Sequence, residues 1–334
     1  MNRIAIARLL VVIFAAPILA AQQNVAKPGI PSAQAQFGSL KPSATFKIGA
    51  TADWVLVTGD SVWVAGSKPY SVQRIDPATN RIVAKIKLSG EACSGLAFGF
   101  GSVWVPVCGK KPALARVDVR INRISAVLPI APAGPEGGIT AGSDSIWMVT
   151  DKAGATLSRI DPATNTVRQN IAIPAGSYNP LASGETVWIT GHDKDLLTAV
   201  DAASGKLLAS INVGPKPRFL ASGGGSVWTL NQGDGSLTRV EMESRKVTSA
   251  VAMGIPGPGG DLDYGMGFVW ATAMDFPITA VDAETNQARR QWVGRGGDSL
   301  RFGFDSIWVT DYHRGLLWRI PVKAILQDAS AAGK

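Results

Sequence analysis

The chain has 334 residues, 46% of them hydrophobic and 17% charged, with a net charge of +8, 37 glycines and 20 prolines. That much apolar sequence supports a sizeable core and excludes a disordered chain, while abundant glycine and proline beside few charges suit a turn-rich β protein better than a helical one. Lysine and arginine are scattered through the turns, and Lys110-Lys111 and Arg289-Arg290 are only pairs, so the basic balance describes a mildly positive surface and makes nucleic acid an unfavoured partner.

In chain order, Arg3 and Arg8 precede the apolar residues 9–16 and the small-residue exit 17–21, the pattern of a secretory signal cut after Ala20 or Ala21. The apolar core is short for a bilayer span, an uncleaved anchor being the alternative reading. Removal of residues 1–20 takes away two arginines, leaves a charge of +6 and leaves no transmembrane segment. A periplasmic or secreted location follows from that reading. Residues 21–43, rich in Gln, Ala, Pro, Gly and Ser, read as a flexible leader. Cys93 and Cys108 flank two strands of one hairpin in an exported chain, which predicts a disulfide closing a loop worth about 3 kcal/mol in the chain-entropy model.

From residue 44 onward one unit recurs. Its tryptophan appears as Trp63, Trp104, Trp147, Trp188, Trp228, Trp270 and Trp308, at intervals of 41, 43, 41, 40, 42 and 38 residues. A period near forty residues built of short apolar runs predicts one propeller blade per repeat, hence an all-β, seven-bladed β-propeller of four-stranded antiparallel blades over residues 44–322, with a tail at 323–334. The first strand is small and apolar, and the second holds the tryptophan. The third ends in Ile or Val followed by Asp or Glu. The fourth follows a turn such as Asp76-Pro77-Ala78-Thr79-Asn80 or Asp161-Pro162-Ala163-Thr164-Asn165, where Asp caps the reversal and Asn takes a left-handed conformation. Repeat five, with Glu241 and Arg245 at those places, is expected to have the least regular hairpin. Residues 44–49 resemble a fourth strand with no repeat before it, and repeat seven lacks one. The N-terminal strand should therefore complete the last blade and close the ring. Seven tryptophans at one repeat position belong to the packing between blades.

The combination of Ser-Val-Trp-Val with Arg-Ile-Asp-Pro-Ala-Thr-Asn and an alternating strand resembles the YVTN-type β-propeller repeat, in a wider group that includes NHL-like propellers and streptogramin (virginiamycin B) lyases. The likeness runs from Ala44 to Ile320. It implies the propeller fold, and it implies either a binding protein or an enzyme, because fold does not carry function across such a group. The binding reading is a monomeric scaffold whose loop face holds a small polar ligand, a cell-envelope component or a protein partner. The enzymatic reading is a metal-assisted lyase or hydrolase at the channel mouth.

Ligands in a propeller sit where the links between blades meet the loops joining second and third strands. Alignment on the tryptophans places Asp53, Ser94, Asn179, Arg218 and Asp298 at matching positions where first strands begin, either a polar ring able to hold a ligand or a solvated rim. Asp261, Asp263 and Arg301 interrupt otherwise apolar or small first-strand positions. An ion pair between blades, Asp263 to Arg301, is one reading; a calcium or magnesium site at Asp261 and Asp263 is the other. His192 and His313 fall in the same loop of blades four and seven. His313 beside Asp311 and Tyr312, or His192 beside Asp193 and Asp195, could serve as a base with its orienting partner, or be ordinary loop residues. Neither neighbourhood carries the glutamate-bearing pattern of the streptogramin lyases.

Overall fold

Residues 27–331 are described by a computed structural model, and the proposed signal at residues 1–20 lies outside them. Seven sheets form around one axis. Blades one and three to five each have four antiparallel strands in sequence order, blade one for example comprising Thr51–Val57, Val62–Ser67, Ser71–Asp76 and Arg81–Lys87. Blade two has a split inner strand, Glu91–Ala92 and Ala97–Gly99. Ala44–Lys47 pairs antiparallel with Leu316–Pro321, Ala44 opposite Arg319, and so supplies the outer strand of blade seven. The ring is closed by the N-terminal strand, as the two incomplete ends of the sequence require.

The seven repeat tryptophans are buried to within 1% of full coverage. Beneath this regularity lies a contact that the repeat motif also encodes. The arginine two residues before the third-strand aspartate lies over the tryptophan of its own blade: Arg74 on Trp63, Arg116 on Trp104, Arg159 on Trp147, Arg239 on Trp228 and Arg319 on Trp308. Each then donates to the turn of the following blade. Arg74 Nη1 reaches Val119 O at 2.7 Å and Asn122 Oδ1 at 3.1 Å. Arg116 reaches Pro162 O and Asn165, Arg159 reaches Ala203 O, and Arg239 reaches Ala283 O and Asn286. The last, Arg319, bonds Pro77 O at 2.5 Å and Asn80 Oδ1 at 2.8 Å in blade one. Blades four and six hold Ala199 and Ala280 at that place.

The turns form for the reason their composition suggests. Asp76, Asp118, Asp161 and Asp282 each accept the N–H two residues on, at 2.7–3.0 Å, and Asn80, Asn122, Asn165 and Asn286 adopt φ between +53° and +58°. Repeat five departs in part: its pairing stops at Val240 opposite Val247 and Glu241 accepts no turn N–H through its side chain, yet the reversal keeps its backbone form. Arg245 takes the left-handed position with φ +56°, and its N–H closes on Glu241 O at 3.0 Å, as Asn165 closes on Asp161. The hairpin geometry tolerates a longer side chain there because that residue is half-buried at the rim rather than in the core.

The expectation of a flexible leader needs correction for residues 27–43. Gln34–Gln36 pairs in parallel with the outer strand of blade six, Gln287–Val293, making it five-stranded. Ala33, Phe37 and Leu40 are buried, Phe37 against Trp318 at 5.2 Å between ring centroids. Three apolar side chains, spaced along an otherwise polar stretch, suffice to dock it. Val322–Ala331, expected as a tail, is helical, and Val322 and Ile325 are buried against blade seven. The Cys93–Cys108 disulfide forms between the inner strand and the second strand of blade two.

The arginine that closes the ring should matter more than an exposed one of equal charge. Arg319→Ala is expected to lower stability by about 1.5–3 kcal/mol, the range for a hydrogen bond to a charged group. Arg289→Ala, which removes an exposed ion pair to Asp282, should cost under about 1 kcal/mol. Urea unfolding of both variants checks this, equal losses counting against the interblade role.

Candidate functional site

Each first strand runs away from the loop face, so its first residue lines the channel mouth and the residues after it line the channel. Just below the mouth, Trp54 of blade one meets Phe219 of blade five across the axis, with centroids 6.2 Å apart and both rings buried. Trp54 and Phe219 also line a cavity of about 240 Å³, walled by first-strand residues of all seven blades, with the polar side chains of Asn179, Asp261 and Arg301 among apolar ones. A ligand approaching from the loop face therefore meets the rim residues, not an open pore.

The rim is acidic. Asp53 and Asp298, from adjacent blades one and seven, lie close enough for each to shift the other, and two buried carboxyl groups so placed are relieved by sharing a proton. Burial, then the charges around it, push Asp298 up to about 8, and Asp53 is raised well above the usual carboxylate range by burial and then by Asp298. Glu136, in the link between blades two and three, belongs to the same field. Its carboxyl is raised by burial and by Asp261 and Glu91, against the opposing pull of Arg218. The Tyr312 phenol is raised by burial and then by Asp53, Glu91, Asp298 and Glu136, which sets it among all four carboxylates.

Two cations border this group. Lys27, from the leader, donates Nζ to Met274 O at 3.0 Å and feels both Asp275 and Asp298, although burial lowers its pKa. At Gly259, Asp298 Oδ1 and the Met274 side chain lie 3.1 and 3.7 Å from where a Cβ would stand, so a larger residue there would press on the acid pair. Arg218 is buried, its guanidinium 3.6 Å from the centroid of Tyr178, with Nε on Glu136 O at 3.0 Å and Nη2 on Pro135 O at 3.1 Å. Asn179 joins the same network, donating to Arg218 O at 2.7 Å and to Glu136 O at 3.3 Å. Glu136 itself is left-handed, with φ +61°, and its N–H bonds Cys93 O at 2.8 Å. The disulfide thus anchors the strand that fixes a strained residue of the rim.

Of the residues singled out in the sequence, Asp53, Asn179, Arg218, Asp298 and Tyr312 do converge on the mouth. The others lie elsewhere or are engaged. Arg301 pairs with Asp261, not with Asp263, at 2.6 Å. The same Asp261 oxygen accepts from Ser299 Oγ at 2.8 Å, while Asp263 accepts Phe302 N at 2.8 Å across the blade boundary. The strand registers put Asp263 and Arg301 in one column, opposite Trp270 and Trp308, and it is the direction of the Arg301 side chain that brings its guanidinium to Asp261. Among the described residues no group of three His, Cys, Asp or Glu side chains is arranged to hold a metal ion. Asp311 is buried and caps its own loop, taking Arg314 N at 3.1 Å and pairing with the Arg314 side chain. His192 pairs with Asp193 at 2.8 Å and stands edge-on to Tyr178. His313 is exposed.

Glu136, Glu91 and Lys27 were not legible as site residues. The two glutamates lie in links whose lengths vary between repeats, outside the columns that the tryptophans align, and Lys27 lies in a segment without periodicity. The signal that could have found Glu136 is its place one residue before the column position Gly137, in a link otherwise made of Pro, Ala and Gly.

No family model matches the chain, and no curated protein matches it. A solved structure does: the crystal structure of BamB from Moraxella catarrhalis superposes with a TM-score of 0.60 at 12% identity, over 84% of this chain and 97% of that one. The likeness is one of fold. It agrees with the propeller that the YVTN-type resemblance implies, and function has to be argued from the rim.

The acid pair makes a signed prediction. Because the folded value of Asp298 lies near 8 and the ordinary value is 3.8, the folded protein keeps a proton that the unfolded chain releases. Stability from this site is complete below the ordinary carboxylate range and is lost as pH rises toward about 8. Asp298→Asn should therefore gain thermal stability relative to the parent as pH is raised from 5 to 9 (~4 units). Melting curves across that range check it, and parallel curves would remove the shared proton.

Proposed function

We propose that this chain is an exported, monomeric binding protein whose loop face receives a positively charged group, of a polar ligand or of a protein partner in the cell envelope, at the channel mouth. The observation that carries the reading is the convergence of Asp53, Asp298 and Glu136 from three different blades and links, beside the Tyr312 phenol. Buried like charges destabilise the protein that bears them unless something binds to them. A proton does so in the free protein, and an incoming ammonium or guanidinium would replace it. The aromatic floor of Trp54 and Phe219 limits penetration and offers a π face to the same cation. Among the described residues no helix is long and apolar enough to cross a membrane, which fits the reading that the chain acts from the aqueous side of the envelope.

A lysine-rich peptide, compared with the same peptide acetylated on its ε-amines, tests this by calorimetry. Only the unmodified peptide should bind, and its affinity should rise as pH increases through about 8, where Asp298 gives up its proton. Equal binding of the acetylated peptide, or none by either, overturns the reading.

A second reading keeps one observation in its favour. His192 with Asp193 is a base with an orienting carboxylate at the edge of the rim, as a lyase would need. Linearisation of a streptogramin B by the purified protein with Mg²⁺, abolished by His192→Ala, would establish it. No turnover discards it.

A further inference from the structure

Beside the channel mouth, on the same face, a cleft of about 290 Å³ opens between blades three and four, at the small end of ligand pockets. Arg218 forms its inner wall with Tyr178 and Glu136, and Lys152 and Asp193 stand on its outer side. Arg218 as a whole is 8% exposed, and its guanidinium meets the carbonyl oxygens of Pro135 and Glu136 and the ring of Tyr178. None of these is an anion. Among the described residues no carboxylate lies within ion-pair distance of Arg218, whereas the other deeply placed arginine of the channel, Arg301, has one at 2.6 Å.

Clamping the link at residues 135–136 accounts for two of the arginine's nitrogens. It does not account for leaving a buried guanidinium with no carboxylate in contact at the wall of an open cleft, Glu136 and Asp193 acting on it only at longer range, an arrangement that an arriving anion improves. A simple anion is a poor fit, because Glu136 and Asp193 line the same small space. A ligand that carries its own positive group a few bonds from its negative one satisfies both walls.

We propose that the cleft between blades three and four binds a small zwitterion of the amino-acid or dipeptide class, its carboxylate on Arg218 and its ammonium on Glu136. With Nε and Nη2 on the link carbonyls, Nη1 is the nitrogen that those carbonyls leave to donate to the carboxylate. Tyr178 holds the guanidinium flat from one side, and His192, edge-on to Tyr178 and tied to Asp193, fixes the tyrosine from the other. Lys152 is exposed at the rim and adds attraction for the carboxylate without fixing its position. Glu136 also faces the channel mouth, so this proposal rests on the reading of the loop face as a binding face and specifies the chemistry that one part of it selects.

Calorimetry on the full chain near pH 7.5 (~0.5 unit below the upper acid) would use three probes: alanyl-alanine, its N-acetyl derivative and its C-terminal amide. The parent dipeptide should bind, with each blocked form weaker by roughly tenfold or more, the loss expected when a charged hydrogen bond is removed. Glu136→Gln should weaken the parent and abolish the preference for it over the N-acetyl form. Arg218→Gln should weaken the parent and the N-acetyl form together. Since Arg218 also ties down the link, Lys152→Ala provides a variant that leaves the fold alone; it should reduce affinity for both carboxylate-bearing probes and spare the amide. Equal binding of parent and N-acetyl forms overturns the zwitterion in favour of a plain carboxylate. No saturable binding of the parent overturns the proposal. The lysine-rich peptide separates the two failures: if it binds while the dipeptide does not, the acidic mouth stands and the cleft assignment falls, and if neither binds, the loop-face reading falls with it.

Discussion

The contact on which the ring depends is an arginine held between two blades. Its guanidinium stacks on the tryptophan of its own blade and its outer nitrogen bonds the turn of the next, so blades one to three both present a clamp and receive one, while blades five and seven present one and blades four and six receive one. Arginine suits this position because its donors are fixed in a plane. One edge can reach the serine of its own sheet, as Arg116 Nε reaches Ser102 Oγ at 2.9 Å, while the other reaches across the boundary. The turn's asparagine is then explained twice over. It takes the left-handed conformation that the reversal needs, and it offers its side-chain oxygen to the neighbour's arginine. The two blades without the arginine, four and six, precede the two turns that cannot receive it in this form: blade five has Arg245 in place of asparagine, and blade seven leaves its third strand into a helix. Donor and acceptor are lost together.

Much of this could be read in the sequence. The period, the buried tryptophans, the hairpin turns, the strand that closes the ring and the disulfide all follow from local patterns that repeat or pair at a fixed distance. What could not be read is whatever depends on contacts between repeats. The clamp role of the arginine in Arg-Ile-Asp-Pro-Ala-Thr-Asn has no local signal because its acceptor lies some forty-five residues on, as with Arg74 and Val119. The choice of Asp261 over Asp263 as the partner of Arg301 turns on the direction of the Arg301 side chain, since Asp263 and Arg301 do occupy one column, opposite Trp270 and Trp308, as the tryptophan alignment has it. The leader's docking rests on Phe37 and Leu40, too few apolar residues to show any period, yet enough when a ready sheet edge and the ring of Trp318 are waiting.

Closing seven blades also dictates the electrostatics of the mouth. First strands begin at the smallest radius of the ring, so residues there meet others distant in sequence, as Asp53 meets Asp298 and Arg218 reaches Glu136. Carboxylates at that radius cannot disperse as they would on an outer strand, where Asp282 is satisfied by Arg289 and by its own turn. They retain protons or find counter-charges. The same fold therefore makes an acidic residue structurally harmless in a turn and chemically demanding at the mouth.

The distribution of positive charge in the rim follows from that difference. Arg301 lies below the mouth and is neutralised by Asp261, so it stabilises the join between blades six and seven and leaves nothing for a ligand. Arg218 occupies the rim itself, and its position is set by carbonyl oxygens and a tyrosine ring rather than by an acid. Neutral partners hold a guanidinium in place without cancelling its field. Glu136, raised by burial yet only a link away, is near enough to feel that field and is not bonded through its carboxylate to it. A site that keeps opposite charges close and unpaired has an electrostatic gradient across a few ångströms, and a ligand with its own dipole is the partner that gains most from it.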